Sequence, residues 1–147
     1  YATKNKNKRL DNSVKKYIEL EKKNKLDKIE TYYRFAKNVE NIKSSSLKKI
    51  KEILENNEKI IGYGAPAKAT TVLNYFGIND SYFKYVLEDS EIKQNKYIPE
   101  TNIQIKSKES VNVDKYEYIL VLAWNFFDAI VKNNQDEFQK SKFIKLK

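Results

Sequence analysis

Residues 59–68 read KIIGYGAPAK, and this stretch decides the predicted fold. Its two isoleucines indicate a short strand, and Gly62 and Gly64 follow at once, two of only three glycines in the chain. Glycine permits unusual backbone angles and a close approach to a ligand, and Pro66 suits a turn or the first position of a helix. The spacing is the relaxed dinucleotide fingerprint G-x-G-x-x-A, which predicts a strand, a tight turn and a helix.

The segments that follow alternate between strand and helix patterns. They predict a helix over 67–75, strands over 83–87, 102–105 and 116–122, a helix over 125–132 and a final strand over 143–146. The uninterrupted apolar run Tyr-Ile-Leu-Val-Leu at 118–122 is typical of a strand buried on both faces of a parallel sheet. The order predicts an α/β fold, with a Rossmann-like, mostly parallel sheet flanked by helices.

Long helices precede this sheet in the prediction. Apolar residues at helical spacing indicate a helix over 12–23 and, from Asp27 to about Asn56, one long helix or two consecutive helices. The first helix has three candidate caps, which are Asp11, Asn12 and Ser13. Residues 1–9 are predicted to be a flexible or edge segment.

We expect one domain, with residues 1–59 as a helical segment that packs on a core formed by residues 60–147. An aromatic helix face is expected to lie in that core or at a domain interface; its members are Tyr32, Tyr33 and Phe35.

Composition excludes several kinds of chemistry. The 147 residues include no Cys and no His, so disulfides, Cys/His zinc sites and Ser-His-Asp catalysis are excluded. We expect no metal site. No apolar run approaches the roughly 20 residues of a membrane span, and the lysine-rich start is not a signal peptide. A cytoplasmic location is the default expectation.

The net charge of +9 raises the question of a nucleic-acid partner. Residues 1–59 hold 17 basic and 9 acidic residues, whereas residues 60–147 hold 12 and 11. Only two of the 29 basic residues are Arg, the side chain that base and phosphate readers favour. This distribution favours solvated helix faces, and we expect no nucleic-acid and no membrane partner.

Three segments follow predicted strands and are expected to meet at one edge of the sheet, since ligands bind at the carboxyl ends of parallel strands. They are residues 62–68, 88–90 and 123–125. The backbone N–H groups from Gly64 to Ala67, at the start of the helix, are expected to contact a diphosphate, and Lys68 can add a point charge. Glu88 or Asp89 lies near the position expected for a ribose-binding acid. The alternatives stay open: a glycine turn needed only for packing, Asp89 as a helix cap or turn former and Trp124 as a core residue.

The ordered motifs resemble the C-terminal domain of S-adenosylmethionine-dependent sugar C-methyltransferases. Residues 62–75 (GYGAPAKATTVLNY) are similar to the signature of that domain. Residues 88–103 and 122–126 are similar to its second and third blocks, and residues 30–36 resemble its first long helix. The sequence departs from the family at Ala69, Asn95 and Glu100, where glycine is frequent.

The resemblance implies that the chain holds a nucleoside-diphosphate keto sugar against the methyltransferase domain of the same polypeptide, which C-methylates the sugar. It implies no catalytic residue in this chain, no methylation by the chain alone, and S-adenosylmethionine bound by a domain that this chain lacks. We predict these substrate-binding residues: Gly62, Tyr63, Gly64, Ala65, Pro66, Ala67, Lys68, Asn74, Asp89, Trp124 and Asn125. The alternatives are an NAD-binding oxidoreductase domain and a non-catalytic interaction domain.

Overall fold

A computed structural model describes Lys4 and residues 11–146. The prediction for residues 1–9 concerns residues that, apart from Lys4, lie outside the described part of the chain. The chain divides into two compact units, a first unit Tyr1–Asn41 and a second unit Ile42–Lys147.

Two helices open the described part of the chain: α1 (Asn12–Lys23) and α2 (Ile29–Glu55). Asp11 caps α1, since its carboxylate accepts a hydrogen bond from the Ser13 amide at 2.8 Å. Of the two arrangements predicted from residue 27 onward, the structure has the single long helix. This is α2, which begins at Ile29. The serines at 44–46 do not interrupt it, and Ser46 is buried.

The second unit contains the sheet. Its strands and remaining α-helices are β1 (Ile60–Tyr63), α3 (Ala67–Phe76), β2 (Tyr85–Leu87), β3 (Gln104–Lys106), β4 (Tyr118–Val121), α4 (Phe127–Asn134) and β5 (Lys142–Ile144). All five strands are parallel, in the order β3-β2-β1-β4-β5. This is the doubly wound order, and it confirms the predicted α/β, Rossmann-like fold. The strand order reverses between β1 and β4, which is where such folds bind ligands.

Some element ends differ from the prediction. The helix expected from residue 125 begins as a 3-10 turn over Trp124–Phe126, and α4 follows two residues later than expected. The third strand lies at 104–106 rather than 102–105, because Asn102 has a left-handed backbone with φ of 57°. Such a residue cannot continue a strand.

Hydrophobic residues on the two faces of the sheet form two clusters. Ile60 and Leu120 face one side with Leu73 of α3 and Ile50 of α2. The alternate strand residues pack with Phe138 on the other side; they are Ile61, Ile119 and Val121. Strand side chains alternate between faces, so consecutive apolar residues fill both clusters.

The first unit differs from this core. No residue of α1 is buried, and Tyr32, Tyr33 and Phe35 are 52%, 69% and 67% exposed. The alternative that this aromatic face lies in the core is therefore wrong, and the alternative of a domain interface stays a prediction. The predicted division at residue 59 stays a prediction. Within the described residues, no helix is both long and apolar enough to cross a membrane.

Candidate functional site

The three predicted segments meet at the carboxyl edge of the sheet. The Gly64 amide donates a hydrogen bond to the Leu87 carbonyl at 2.7 Å, which joins the turn after β1 to the end of β2. The Leu122 amide donates to the Tyr63 carbonyl at 2.9 Å, which joins the same turn to the end of β4. The convergence expected from parallel strands is confirmed.

The two glycines of the turn serve close packing. A Cβ at Gly62 would lie 2.6 Å from Cγ2 of Val86, which is closer than real contacts allow. Gly64 has a φ of +83°, and a Cβ there would lie 3.0 Å from the Cβ of Ala123. The packing role left open by the sequence therefore accounts for Gly62, while Gly64 also needs the left-handed backbone.

The Glu88 carboxylate, which follows β2, accepts a hydrogen bond from one amide of the glycine turn. Its Oε2 accepts a hydrogen bond from the Ala65 amide at 2.7 Å, and its Oε1 accepts one from the Ser90 amide at 3.1 Å. Lys93 Nζ lies 3.4 Å from Oε2, and the Glu88 side chain is only 13% exposed. The amides of Gly64 and Ala65, which were expected to contact a diphosphate, thus donate within the protein instead, and Pro66 has no N–H.

The charge of this carboxylate is stabilised in place. Burial alone would raise the pKa of Glu88, but the amides of Ala65 and Ser90 and the ammonium of Lys93 together hold it below its usual value. Glu88 is therefore an anion held on the turn at neutral pH.

Lys68 and Trp124 meet on another part of the same edge. Lys68 Nζ lies 4.2 Å from the centroid of the Trp124 ring, within the range of a cation–π contact. Trp124 is half-buried, so it is neither a core residue nor a free surface residue, and Asn125 beside it is exposed. Ala67 opens α3, and the first amides of a helix have no acceptor within the helix.

A small cavity of about 140 Å³ lies beside the start of α3. It lies between residues 65–67 of the turn and residues 97–99 of the loop before β3. Asn74 holds that loop, because its Nδ2 donates to the carbonyl of Thr70 at 2.8 Å and to that of Pro99 at 3.1 Å. Asn74 therefore holds in position the loop that forms one wall of the cavity.

Tyr63 and Asp89 lie in a separate polar cluster. The Tyr63 hydroxyl donates to Asp89 Oδ2 at 2.9 Å, and Asn134 Oδ1 lies 3.2 Å from the hydroxyl oxygen. Lys108 Nζ is 3.2 Å from that Asn134 oxygen and 3.1 Å from Glu137 Oε2. Burial and the Asp89 carboxylate raise the pKa of Tyr63 well above its usual value, so the phenol stays protonated.

The sequence reasoning missed three members of this cluster: Lys108, Asn134 and Glu137. They come from distant loops and the end of α4, and no motif marked them. The side chain of Tyr63 is 4% exposed and packs edge-on against Phe138, so the structure places it within a core cluster rather than facing an open site.

Two of the three departures from the family's glycine pattern fall on left-handed backbone. Asn95 and Glu100 have φ values of 61° and 63°, the conformation that glycine adopts without strain. Asn tolerates it better than a longer side chain does. Ala69, the third departure, is fully buried within α3.

Comparison with known proteins agrees with this architecture. The family model described as the C-methyltransferase C-terminal domain matches residues 1–145, and the chain belongs to that family. A relative is the C-methyltransferase NovU of Streptomyces niveus, 27% identical over 105 residues, which are 71% of this chain and 25% of NovU. The chain thus matches about a quarter of the length of this curated relative.

The family assignment confirms the resemblance found in the sequence and associates the chain with transferases of the C-methylating class. The ligand-binding roles of the individual residues stay predictions.

Proposed function

We propose that this chain is the substrate-binding domain of an S-adenosylmethionine-dependent methyltransferase that C-methylates a nucleoside-diphosphate keto sugar. The observation that carries the proposal is the pairing of Lys68 with Trp124 at the carboxyl edge of the sheet. The neighbouring Ala67 lines the cavity formed with the loop at 97–99. A cation and an aromatic ring at a sheet's ligand-binding edge suit a molecule with a diphosphate and a flat base.

In this proposal Lys68 binds the diphosphate, and the amide of Ala67 at the start of α3 supports it. Trp124 stacks on the base or sugar, and Asn125 hydrogen-bonds to it. Three residues shape the turn: Gly62, Gly64 and Pro66. Asn74 positions the loop at Pro99. Tyr63 and Asp89 support the edge from the separate polar cluster.

The chain contributes binding and orientation to the reaction. A base outside the chain removes the proton next to the keto group, and the carbon then takes a methyl group. S-adenosylmethionine would supply that methyl group from its sulfonium centre: the S–CH3 bond breaks as the new C–C bond forms, and the sulfur leaves as a neutral thioether. In this proposal the cofactor binds to another domain of the enzyme, so we assign no residue of this chain to it. Holding the sugar in place lowers the barrier by positioning.

Calorimetry on this chain with thymidine and uridine diphosphate sugars tests the proposal. We expect binding that Lys68→Ala weakens about tenfold or more, since charge-assisted hydrogen bonds are among the stronger polar contacts. Lys84→Ala is the matched control, because Lys84 is equally a lysine but precedes β2 at the opposite edge of the sheet. It should leave the affinity unchanged.

Equal affinity in wild type and Lys68→Ala would contradict the assignment of the diphosphate contact. Binding of NADH without any sugar nucleotide would favour the alternative of an oxidoreductase domain, which the G-x-G-x-x-A spacing also fits. Salt-sensitive association with a protein partner and no small-ligand binding would favour an interaction domain.

A further inference from the structure

The glycine turn has the sequence of an anion-binding turn, but the Glu88 carboxylate already accepts a hydrogen bond from one of its amides. In such turns, amides after the first strand point at a phosphate. Here the Ala65 amide points at Glu88 Oε2 at 2.7 Å, and the Gly64 amide points at the Leu87 carbonyl. Neither of these donors is open to a ligand.

The carboxylate is held from several sides, so a ligand cannot displace it without cost. Its other oxygen accepts from the Ser90 amide at 3.1 Å, and Lys93 Nζ lies 3.4 Å from Oε2. The side chain of Gln94 also donates to the Glu88 carbonyl at 2.9 Å, which fixes the backbone of the same segment. With Glu88 13% exposed, water screens its charge only weakly.

We propose that Glu88 is a specificity-determining residue that excludes anions from the glycine turn. The diphosphate of the ligand is thereby confined to the Lys68 side of the edge. This inference rests on the proposed function for the identity of the ligand, but the exclusion itself concerns any phosphate. The turn of the fingerprint has become an internal contact, and the proposed binding cation, Lys68, is the residue that directly follows the fingerprint.

The experiment uses inorganic pyrophosphate and the full chain, followed by amide and indole NMR signals and by calorimetry. In the wild type we expect pyrophosphate to shift the signals of Lys68 and Trp124 and to leave the Ala65 amide unshifted. In Glu88→Gln we expect the Ala65 amide to respond and the affinity for pyrophosphate to rise about tenfold, since a like charge next to the turn is gone. Glu91→Gln removes a neighbouring exposed charge outside the turn and should change neither.

A shift of the Ala65 amide in the wild type would overturn the proposal, and this measurement does not depend on whether Glu88→Gln folds. Unchanged or weaker pyrophosphate binding in folded Glu88→Gln would overturn it as well. If the wild type binds no diphosphate or sugar nucleotide but Glu88→Gln binds pyrophosphate at Ala65, the exclusion is supported and the proposed function fails. If sugar nucleotides bind through Ala65, the proposed function survives and the exclusion fails.

Discussion

The Glu88 side and the Lys68 side of the carboxyl edge use their polar groups in opposite ways. Around Glu88, the amides of Ala65 and Ser90 and the Lys93 ammonium all face one internal carboxylate. At Lys68, an ammonium lies over the Trp124 ring. The seven residues 62–68 thus supply a structural contact through the Ala65 amide and a candidate binding group, Lys68, at their end. Changes on the first side should alter stability and, at Glu88, the access of anions to the turn, whereas changes on the second should alter ligand binding.

Gly62→Ala should have the largest effect on stability. The new Cβ would lie 2.6 Å from Cγ2 of Val86 inside the sheet, and overpacking of this kind costs about 1–3 kcal/mol. Denaturant unfolding measures the loss. Gly77→Ala is the control, because Gly77 has a φ of +74° with nothing within 4 Å of a Cβ, so it isolates backbone strain of about 1 kcal/mol. An equal or smaller loss in Gly62→Ala would contradict the packing argument.

Glu88→Gln should cost about 1–2 kcal/mol of unfolding free energy at pH 7, since it removes a charged acceptor from two amides. It should also change the pH dependence. The pKa of Glu88 is below its usual value in the fold, so its stabilisation is fully present above the unfolded pKa near 4.5 and is lost as the pH falls through the folded value.

The difference in stability between wild type and Glu88→Gln should therefore shrink as the pH falls below about 4.5. Urea unfolding at a series of pH values measures it. A difference that stays constant down to pH 2 would show that the carboxylate charge contributes nothing to the turn.

Tyr63→Phe should cost about 1 kcal/mol, because the hydroxyl loses its hydrogen bond to Asp89 while the ring stays in the core. The loss is moderate because Asp89, with a 64% exposed side chain, can be solvated instead. Thermal unfolding measures it, with Tyr97→Phe at a 60% exposed position as the control. Equal melting temperatures for the two variants would exclude a stabilising Tyr63–Asp89 contact.

Glu100→Gly should have the smallest effect and the opposite sign. Glu100 has a left-handed backbone at φ of 63° in the loop beside the cavity, and glycine there removes strain of about 1 kcal/mol, part of which is offset by a more flexible unfolded chain. We expect a gain in unfolding free energy of a few tenths of a kcal/mol to about 1 kcal/mol. The gain should exceed that of Asn95→Gly, since Asn tolerates this conformation. A destabilised Glu100→Gly would show that the side chain makes a compensating contact.

The sequence predicted the fold well because its main signals are local. The apolar run at 118–122, the glycine turn and the Pro66 helix start each specify their element from adjacent residues, and parallel strands need not pair in sequence order to be recognised. Element ends were less accurate where a left-handed residue such as Asn102 or a 3-10 turn at Trp124 moved the boundary.

The site was predictable only in part, since its contacts are between distant residues. Because parallel strands end at one edge of the sheet, the sequence predicted that residues 62–68, 88–90 and 123–125 meet there. It could not show that the Glu88 carboxylate accepts a hydrogen bond from the Ala65 amide, 23 positions earlier in the chain. The Lys108–Asn134 contact joins a loop to the end of α4, and no spacing rule marks such a pair. Tyr32, Tyr33 and Phe35 were predicted to lie in the core or at a domain interface because of their hydrophobicity, which does not distinguish a core from an exposed face.

Trp124 is the only tryptophan in the chain, and an ammonium lies 4.2 Å above its ring. Its fluorescence therefore arises at one point of the carboxyl edge and nowhere else. An anion that draws Lys68 away from the indole changes the electric field at the fluorophore, and the emission of the unlabelled protein shifts with it. The intrinsic fluorescence of Trp124 thus reports whether an anion is bound at Lys68.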